Sequence, residues 1–286
     1  MTTVALISDI HGNLPALEAV VDDVQRWRPD AVYVLGDMTN GACWSGAVLD
    51  LLVHLCWPML LGNHDDAVLQ LGSARMEPRY ADRRHYAALW WTRRSLRPEH
   101  LLALEGLPLD RCLSMPGAPP ARLLHGLPGD FFRGFRPDTP EQWAVSRLAG
   151  VAEHTVAGGH THFPMERRFG SWLVLNCGSV GVPYDGDARA GYLRVEGSPG
   201  GWRSEVRRLS YDTRTVEQGF RDSGLAAEGG VMARMFLRSI LSGQPWVADY
   251  AWWLRLQPAD RVNDLDRAEQ LYMASHGPGR WSYSVV

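Results

Sequence analysis

At 286 residues, 45% of them hydrophobic and 21% charged, the chain can bury a full core and lacks the composition of a disordered or low-complexity polymer. Its formal net charge of -3 excludes a global basic field for nucleic acid or an anionic membrane, and its basic residues, all arginine, exclude a lysine nucleophile. No apolar run approaches the ~20 residues of a membrane helix. The Met-Thr-Thr start carries no secretory leader pattern, and the four cysteines contain no Cys-x-x-Cys pair, so the expectation is a reduced cytoplasmic protein with buried thiols.

Val4-Ala5-Leu6-Ile7 reads as a buried strand that ends in Ser8-Asp9-Ile10-His11-Gly12-Asn13. Asp9 and His11, two apart, project from one face if that segment is extended. Leu14, Leu17, Val20, Val21 and Val24 then recur at helical spacing, with Asn13 as cap and Pro15 in the first turn. Ala31 to Leu35 is a second strand, ending in Gly36-Asp37. A helix over Gly46 to Leu55 leads to a third, Met59 to Leu61, ending in Gly62-Asn63-His64-Asp65. Strands alternating with helices predict a parallel or mixed sheet covered by helices, with ligands at the carboxyl ends of the strands.

Residues 66 to 106 read as helical and Arg-rich, with Tyr80, Tyr86, Trp90 and Trp91 among Arg83, Arg84, Arg93 and Arg94. An amphipathic helix with inward aromatics is the first expectation, and a nucleotide-stacking surface the second. Arg111 to Ser114 and Ala121 to Leu124 form paired strands, the second ending in His125-Gly126. A helix over Thr139 to Leu148, capped by Thr139, precedes a strand, Thr155 to Ala157, that ends in Gly158-Gly159-His160-Thr161-His162. Strands at Trp172 to Leu175, Gly191 to Val195 and Glu205 to Leu209 follow. A helical tail from Thr213 to Ala274 offers packing aromatics, and Gly277-Pro278-Gly279 reads as loose. The expected organisation is one domain, residues 1–212, with a helical C-terminal extension, 213–286, packed on it.

Five of the ten histidines fall in these strand-end turns, beside Asp9, Asp37 and Asn63. Imidazole with carboxylate and no thiolate favours Mn²⁺, Fe or Zn²⁺ over a Cys-rich structural zinc. One octahedral ion cannot take seven protein ligands and leave room for substrate. Two ions sharing a carboxylate can, and two metals about 3.5–4 Å apart suit an in-line displacement at phosphorus. The glycines before the ligands, Gly36, Gly62 and Gly159, have a mechanical reading: backbone passes close to ligand atoms there.

Asp9-x-His11, Gly36-Asp37, Gly62-Asn63-His64-Asp65, His125 and Gly159-His160-Thr161-His162 together resemble the full signature of the calcineurin-like metallophosphoesterase superfamily. Ser8 to Asn13 and Asn176-Cys177-Gly178-Ser179-Val180-Gly181 resemble its small bacterial and archaeal phosphodiesterases more closely. The resemblance covers about residues 3 to 212. It implies an α/β fold, a four-layer α/β/β/α sandwich of two mixed sheets, with the metals at one edge. By motif position, Asp9, His11 and His162 hold one ion, Asn63, His125 and His160 complete the other, and Asp37 bridges. The ions are divalent, Mn²⁺ first, with Fe, Zn, Ni or Co as alternatives. The implied activity is dinuclear metal-dependent hydrolysis of a phosphoester by a bridging hydroxide, as a phosphodiesterase or phosphatase on a small soluble substrate. His64 serves as general acid and contacts substrate. Asp65 fixes its tautomer or caps the following helix, and Asn13 reaches a phosphate oxygen or caps its own helix.

Two positions depart from the family pattern. His125-Gly126-Leu127-Pro128-Gly129 lacks an expected polar and basic pair, for which Arg133 is a candidate replacement. Cys177 stands in place of a proline, as an inert buried thiol or a residue that ligates or oxidises. Competing readings are a scaffold that binds a partner without turnover and a nuclease using a local patch from Arg79 to Arg97; nucleic acid is not the favoured ligand, and no membrane contact is expected.

Overall fold

The structure, a computed structural model, describes residues 1–258 and 263–275. Strand β1 (Thr2–Ile7) runs parallel to β2 (Ala31–Val34) and antiparallel to β8 (Ala190–Ser198), which pairs with β9 (Gly201–Leu209). The resulting sheet has the order β2-β1-β8-β9. The second sheet, β3-β4-β5-β7-β6, joins β3 (Asp110–Leu113), β4 (Ala121–Leu124), β5 (Thr155–Gly158), β6 (Met165–Phe169) and β7 (Trp172–Asn176). β4, β5 and β7 are parallel neighbours, and the outer strands are antiparallel. Both sheets are therefore mixed.

Side-chain alternation along each strand stacks the layers. Val4 and Leu6 of β1 meet Leu123, Ala157, Leu173 and Leu175 of the other sheet in a shared apolar layer, so the two sheets pack face to face. Ala5 and Ile7 point the opposite way, against helices α1 (Leu14–Trp27) and α2 (Ser45–His54). On the far side, Leu124, Val156 and Val174 cover α6 (Glu141–Leu148). Helix, sheet, sheet and helix give the four-layer sandwich.

Between the sheets' loops run α3 (Asn63–Gln70), α4 (Ala87–Ser95) and α5 (Pro98–Glu105). The Arg-rich stretch 66–106 is thus three helices and a 3-10 turn at Pro78–Ala81, not one helix. Gly72 in the left-handed region, Pro78 and Pro98 each interrupt it. Met59 to Leu61 makes one bridge to β2 and no strand, because Pro58 has no amide to donate. Thr139 does not cap α6; its hydroxyl accepts from the Arg136 amide, and Pro140 takes the cap position. β6 was not expected: Met165-Glu166-Arg167-Arg168-Phe169 alternates buried and exposed along a charged edge strand.

The C-terminal segment builds α7 (Thr213–Asp222), α8 (Leu225–Glu228), α9 (Gly230–Ser242), α10 (Trp246–Arg255) and α11 (Leu265–Ser275). Met235, Phe236, Ile240, Tyr250, Trp253 and Tyr272 form a second core that takes in Ala42, Ala88 and Tyr184 from the sandwich side. The Gly277-Pro278-Gly279 stretch lies outside the described residues. No described helix is long and apolar enough to cross a membrane. The thiols are not all buried as expected: Cys177 is, Cys43 is half-buried, and Cys56 and Cys112 are exposed.

Candidate metal centre

β1 and β5 deliver their ligands from beyond their last ladder pairs, where the backbone leaves the sheet. Asp9, His11, Asp37, His160 and His162 all adopt positive φ, between 51° and 66°. Asp9 and His11 therefore do not share the face of an extended segment; left-handed kinks turn each one inward. Such conformations are costly for non-glycine residues and gather where function demands them. The loops are locked to each other: the Asp9 amide donates to Gly36 O, the His11 amide to Asp37 O and the Gly181 amide to Asp9 O. A Cβ at Gly159 would overlap Ser8 Oγ and the Asp9 carboxylate, and one at Gly62 would overlap Asp37. Close approach, expected at those glycines, is what the structure requires of them.

The structure brings all seven expected ligand residues together. Asp9, His11 and His162 form one cluster, and Asp37, His125 and His160 another, with ligating atoms within 4.8 Å of one another in each. Asp37 Oδ2 lies 3.7 Å from His11 Nε2 and 3.3 Å from His125 Nε2, so it faces both. Asn63 Oδ1 lies 3.1 Å from His125 Nε2 and 2.8 Å from His160 Nδ1.

The proton positions show what this cluster fits. His11 Nδ1 donates to Asn40 O, His125 Nδ1 to Leu35 O and His162 Nδ1 to Val182 O. Each bond fixes the tautomer that leaves an Nε2 lone pair aimed inward. His11 Nε2 and His162 Nε2 then face each other at 3.2 Å, two acceptors without a donor between them. Asp9 Oδ1, 3.2 Å from His162 Nε2, is fully buried and has no hydrogen-bond partner. Converging lone pairs and an orphaned carboxylate oxygen suit divalent cations.

The electrostatics of the cluster agree. Burial works against charge on Asp37, yet the surrounding His125 and His64 outweigh it and hold the carboxyl well below its usual range. Burial likewise opposes a charged His125, but Asp37 and Asp9 raise it to about 10. Burial, with His64 beside it, lowers His11 to about 3, and burial with His125 lowers His160 to about 4. The cluster thus places positive charge on His125, beside Asp37, where a divalent cation would sit, and keeps His11 and His160 neutral.

His64 sits at the cluster's edge, with its amide donating to Asp37 Oδ1. Asp65 does not touch it. The Asp65 carboxylate accepts instead from the Thr39 amide and hydroxyl and from the Met38 and Gly62 amides, where burial raises it to about 6. Its position at the third residue of α3 aims it back at the preceding loops, which is the capping role. The partner of His64 is Asn40, whose side-chain amide donates to Nδ1 at 2.7 Å and whose oxygen accepts from Thr92 Oγ1. The proton of His64 is thereby placed on Nε2. Asn40 was missed because only the Asn-Gly turn marks it in the sequence; its φ of 61° is a conformation that asparagine tolerates.

Of the two roles expected for Asn13, the structure shows the cap. Asn13 is fully buried, its oxygen accepts from the Ala16 amide as a cap, and its nitrogen donates to Gly181 O and Tyr211 Oη. Arg133 does not compensate for the altered loop; it is exposed and faces Asp130. Cys177 lies in the layer between the sheets, where burial pushes its thiol far up, and no cluster of ligand atoms among the described residues includes it. Tyr184, also unanticipated, stacks on His162 with ring centroids 4.3 Å apart.

Residues 2–173 match the family of calcineurin-like phosphoesterases, and the chain belongs to it. It is 27% identical over 231 residues to an uncharacterized protein of Methanocaldococcus jannaschii, MJ0912, covering 74% of this chain and 88% of that one. Among solved structures, a metallophosphoesterase from Sphaerobacter thermophilus is 26% identical with a TM-score of 0.66, covering 85% of this chain and 99% of that one. A hypothetical protein from Pyrococcus horikoshii, PH1004, shares the fold at 20% identity and a TM-score of 0.72, with the same coverage.

Proposed function

We propose that the chain is a two-metal phosphoesterase acting on a small soluble phosphoester. Asp9, His11 and His162 would hold one divalent ion and Asn63, His125 and His160 the other, with Asp37 shared. The observation that carries this reading is the placement of Asp37 Oδ2 between His11 and His125, beside the unpartnered Asp9 Oδ1. When bound, the ions supply Lewis-acid charge to a phosphoryl oxygen and an acidified water.

The chain's own residues do the rest. Three backbone carbonyls, of Leu35, Asn40 and Val182, hold the imidazoles in the ligating tautomer. Asn40 holds the His64 proton on Nε2, from which it can be given to the leaving alkoxide as the ester bond breaks. Residues 1–212 form the unit that carries this chemistry.

Hydrolysis of bis-p-nitrophenyl phosphate by Mn²⁺-loaded protein, alongside metal analysis, tests the reading. We expect about two ions per chain and a loss of ~10²–10⁴ in kcat for His64→Ala. Absence of metal-stimulated turnover in the wild type would favour the scaffold alternative. The nuclease alternative is weakened at its basic patch: of Arg79, Arg83, Arg84, Arg93, Arg94 and Arg97, four face carboxylates, Arg79 with Glu77, Arg84 with Asp82, Arg94 with Glu228, and Arg97 with Asp50 and Glu99, and Arg83 lies over the Trp90 ring.

A further inference from the structure

The candidate centre opens into a cavity of about 720 Å³. That volume is within the ~300–1,000 Å³ of sites for small molecules. The cavity lies where two apolar cores meet. Tyr80 and Leu89 pack in the core on the helix side of the first sheet, and Met232, Phe236, Val247 and Leu254 pack with the C-terminal helices. Tyr80, Leu89, Phe236 and Val247 are at most 8% exposed, so this lining is shielded from bulk water. Phe236 reaches the centre itself, its ring 5.8 Å from that of His11 and 6.2 Å from that of His64.

Polar groups are scarce in the same lining. Beyond the side chains of the centre, Asn40 included, no carboxylate, carboxamide or aliphatic hydroxyl among the described residues lines the cavity. The ionisable groups there, tyrosines aside, are Arg79, His85 and Arg255. Two of the three are engaged locally: Arg79 Nε lies 2.9 Å from Glu77 Oε2 while its Nη2 donates to Tyr80 Oη, and His85 Nδ1 lies 2.7 Å from Asp82 Oδ2. Arg255 is exposed at the end of α10. A sugar or polyol placed here would give up its bonds to water and find few replacements, and each hydroxyl left without a partner costs about tenfold in affinity. A hydrocarbon group pays no such cost and gains about fourfold for each methylene buried. The lining mixes rings with branched aliphatics and the flexible thioether of Met232, so it selects apolar character rather than one shape.

Resting on the phosphoesterase reading, we infer that the substrate is a phosphoester of an apolar alcohol or phenol, with the phosphoryl group at the histidine cluster and the hydrocarbon part in the compartment lined by Tyr80, Leu89 and helices α9 and α10. The C-terminal helices then set substrate choice, because Met232, Phe236, Val247 and Leu254 all lie on them.

Calorimetric binding of phosphonates, whose carbon–phosphorus bond is not an ester, to the Mn²⁺-loaded full chain tests this without turnover. Butylphosphonate should bind about tenfold tighter than 3,4-dihydroxybutylphosphonate, which differs only by two hydroxyls. Hexylphosphonate should gain about tenfold more, and phenylphosphonate should share the advantage over the diol. Two variants at half-buried positions of the α10 wall probe the compartment itself: Ala251→Trp fills it and Leu254→Gln places a carboxamide in it. Each should shrink the hexyl-to-diol ratio about threefold or more. A diol that binds as tightly as either the butyl or the phenyl compound, or a ratio untouched by both variants, would overturn the inference. Turnover of bis-p-nitrophenyl phosphate in the same preparation separates the two readings. Turnover without apolar preference sinks the present inference alone, and apolar preference without turnover sinks the hydrolytic reading alone.

Discussion

Single side chains in this molecule act through the tautomers and charges of their neighbours. Asn40 makes no candidate metal contact, yet its amide decides which nitrogen of His64 carries the proton. Asn40→Ala should lower kcat about tenfold with a smaller change in KM, and Asn40→Asp, which offers an acceptor to Nδ1, should raise the pH at which His64 loses its proton; both are read from pH–rate profiles. Asp23 shows the same logic in stability. It is buried in α1, bonded to Arg207, Tyr192 and Arg194, and these partners hold its carboxyl far below the usual range. A depressed carboxyl contributes stability present above the unfolded pKa of about 4 and lost as pH falls through the folded value. Asp23→Asn should therefore cost about 2 kcal/mol at pH 7, and the difference from wild type should shrink toward pH 3 in thermal or urea unfolding.

At the level of elements, apolar alternation made most of the strands legible, because β1, β4, β5 and β7 are buried on both faces between layers. The candidate ligands stood out for a related reason: Asp9, His125 and His160 each follow such a run within a few residues. What the sequence hid are features set by partners distant along the chain. Val34 and Pro58 decide that Met59 to Leu61 is a single bridge, and the sheet edge decides that a charged pentapeptide becomes β6. The inward aim of Asp9 and His11 rests on left-handed kinks that residue spacing cannot reveal. The contact between β5's exit and β1's exit is equally nonlocal, and it has no room for a methyl group. Gly159→Ala should displace the Asp9 carboxylate and abolish uptake of one of two Mn²⁺ ions, while leaving the far-ultraviolet circular dichroism unchanged.

For the molecule as a whole, the cation cluster belongs to the sandwich, and the cavity it opens into is completed by the C-terminal helices. The sandwich holds the imidazoles and stacks Tyr184 on one of them, and the C-terminal core leans Phe236 onto the cluster. Binding of divalent ions to the folded state alone should stabilise it by about 2.7 kcal/mol per site at a hundredfold excess over Kd, so that the melting temperature climbs with the logarithm of ion concentration and chelator reverses it. That the chain turns helical from residue 213 was readable from the sequence. The role of the extension at the cavity was not, since neither Phe236 nor Trp252 differs in the sequence from an ordinary packing residue.

Because the turns carrying Asp9, His11 and His160 lie beyond the regular ladders and bond chiefly to one another, they form a small cooperative patch whose opening need not disturb the strands. Deuterium should enter the amides of 8–12, 36–38 and 159–161 early in chelator-treated protein, and Mn²⁺ should slow that entry selectively, while the interior of β1 and β5 exchanges at one rate in both conditions.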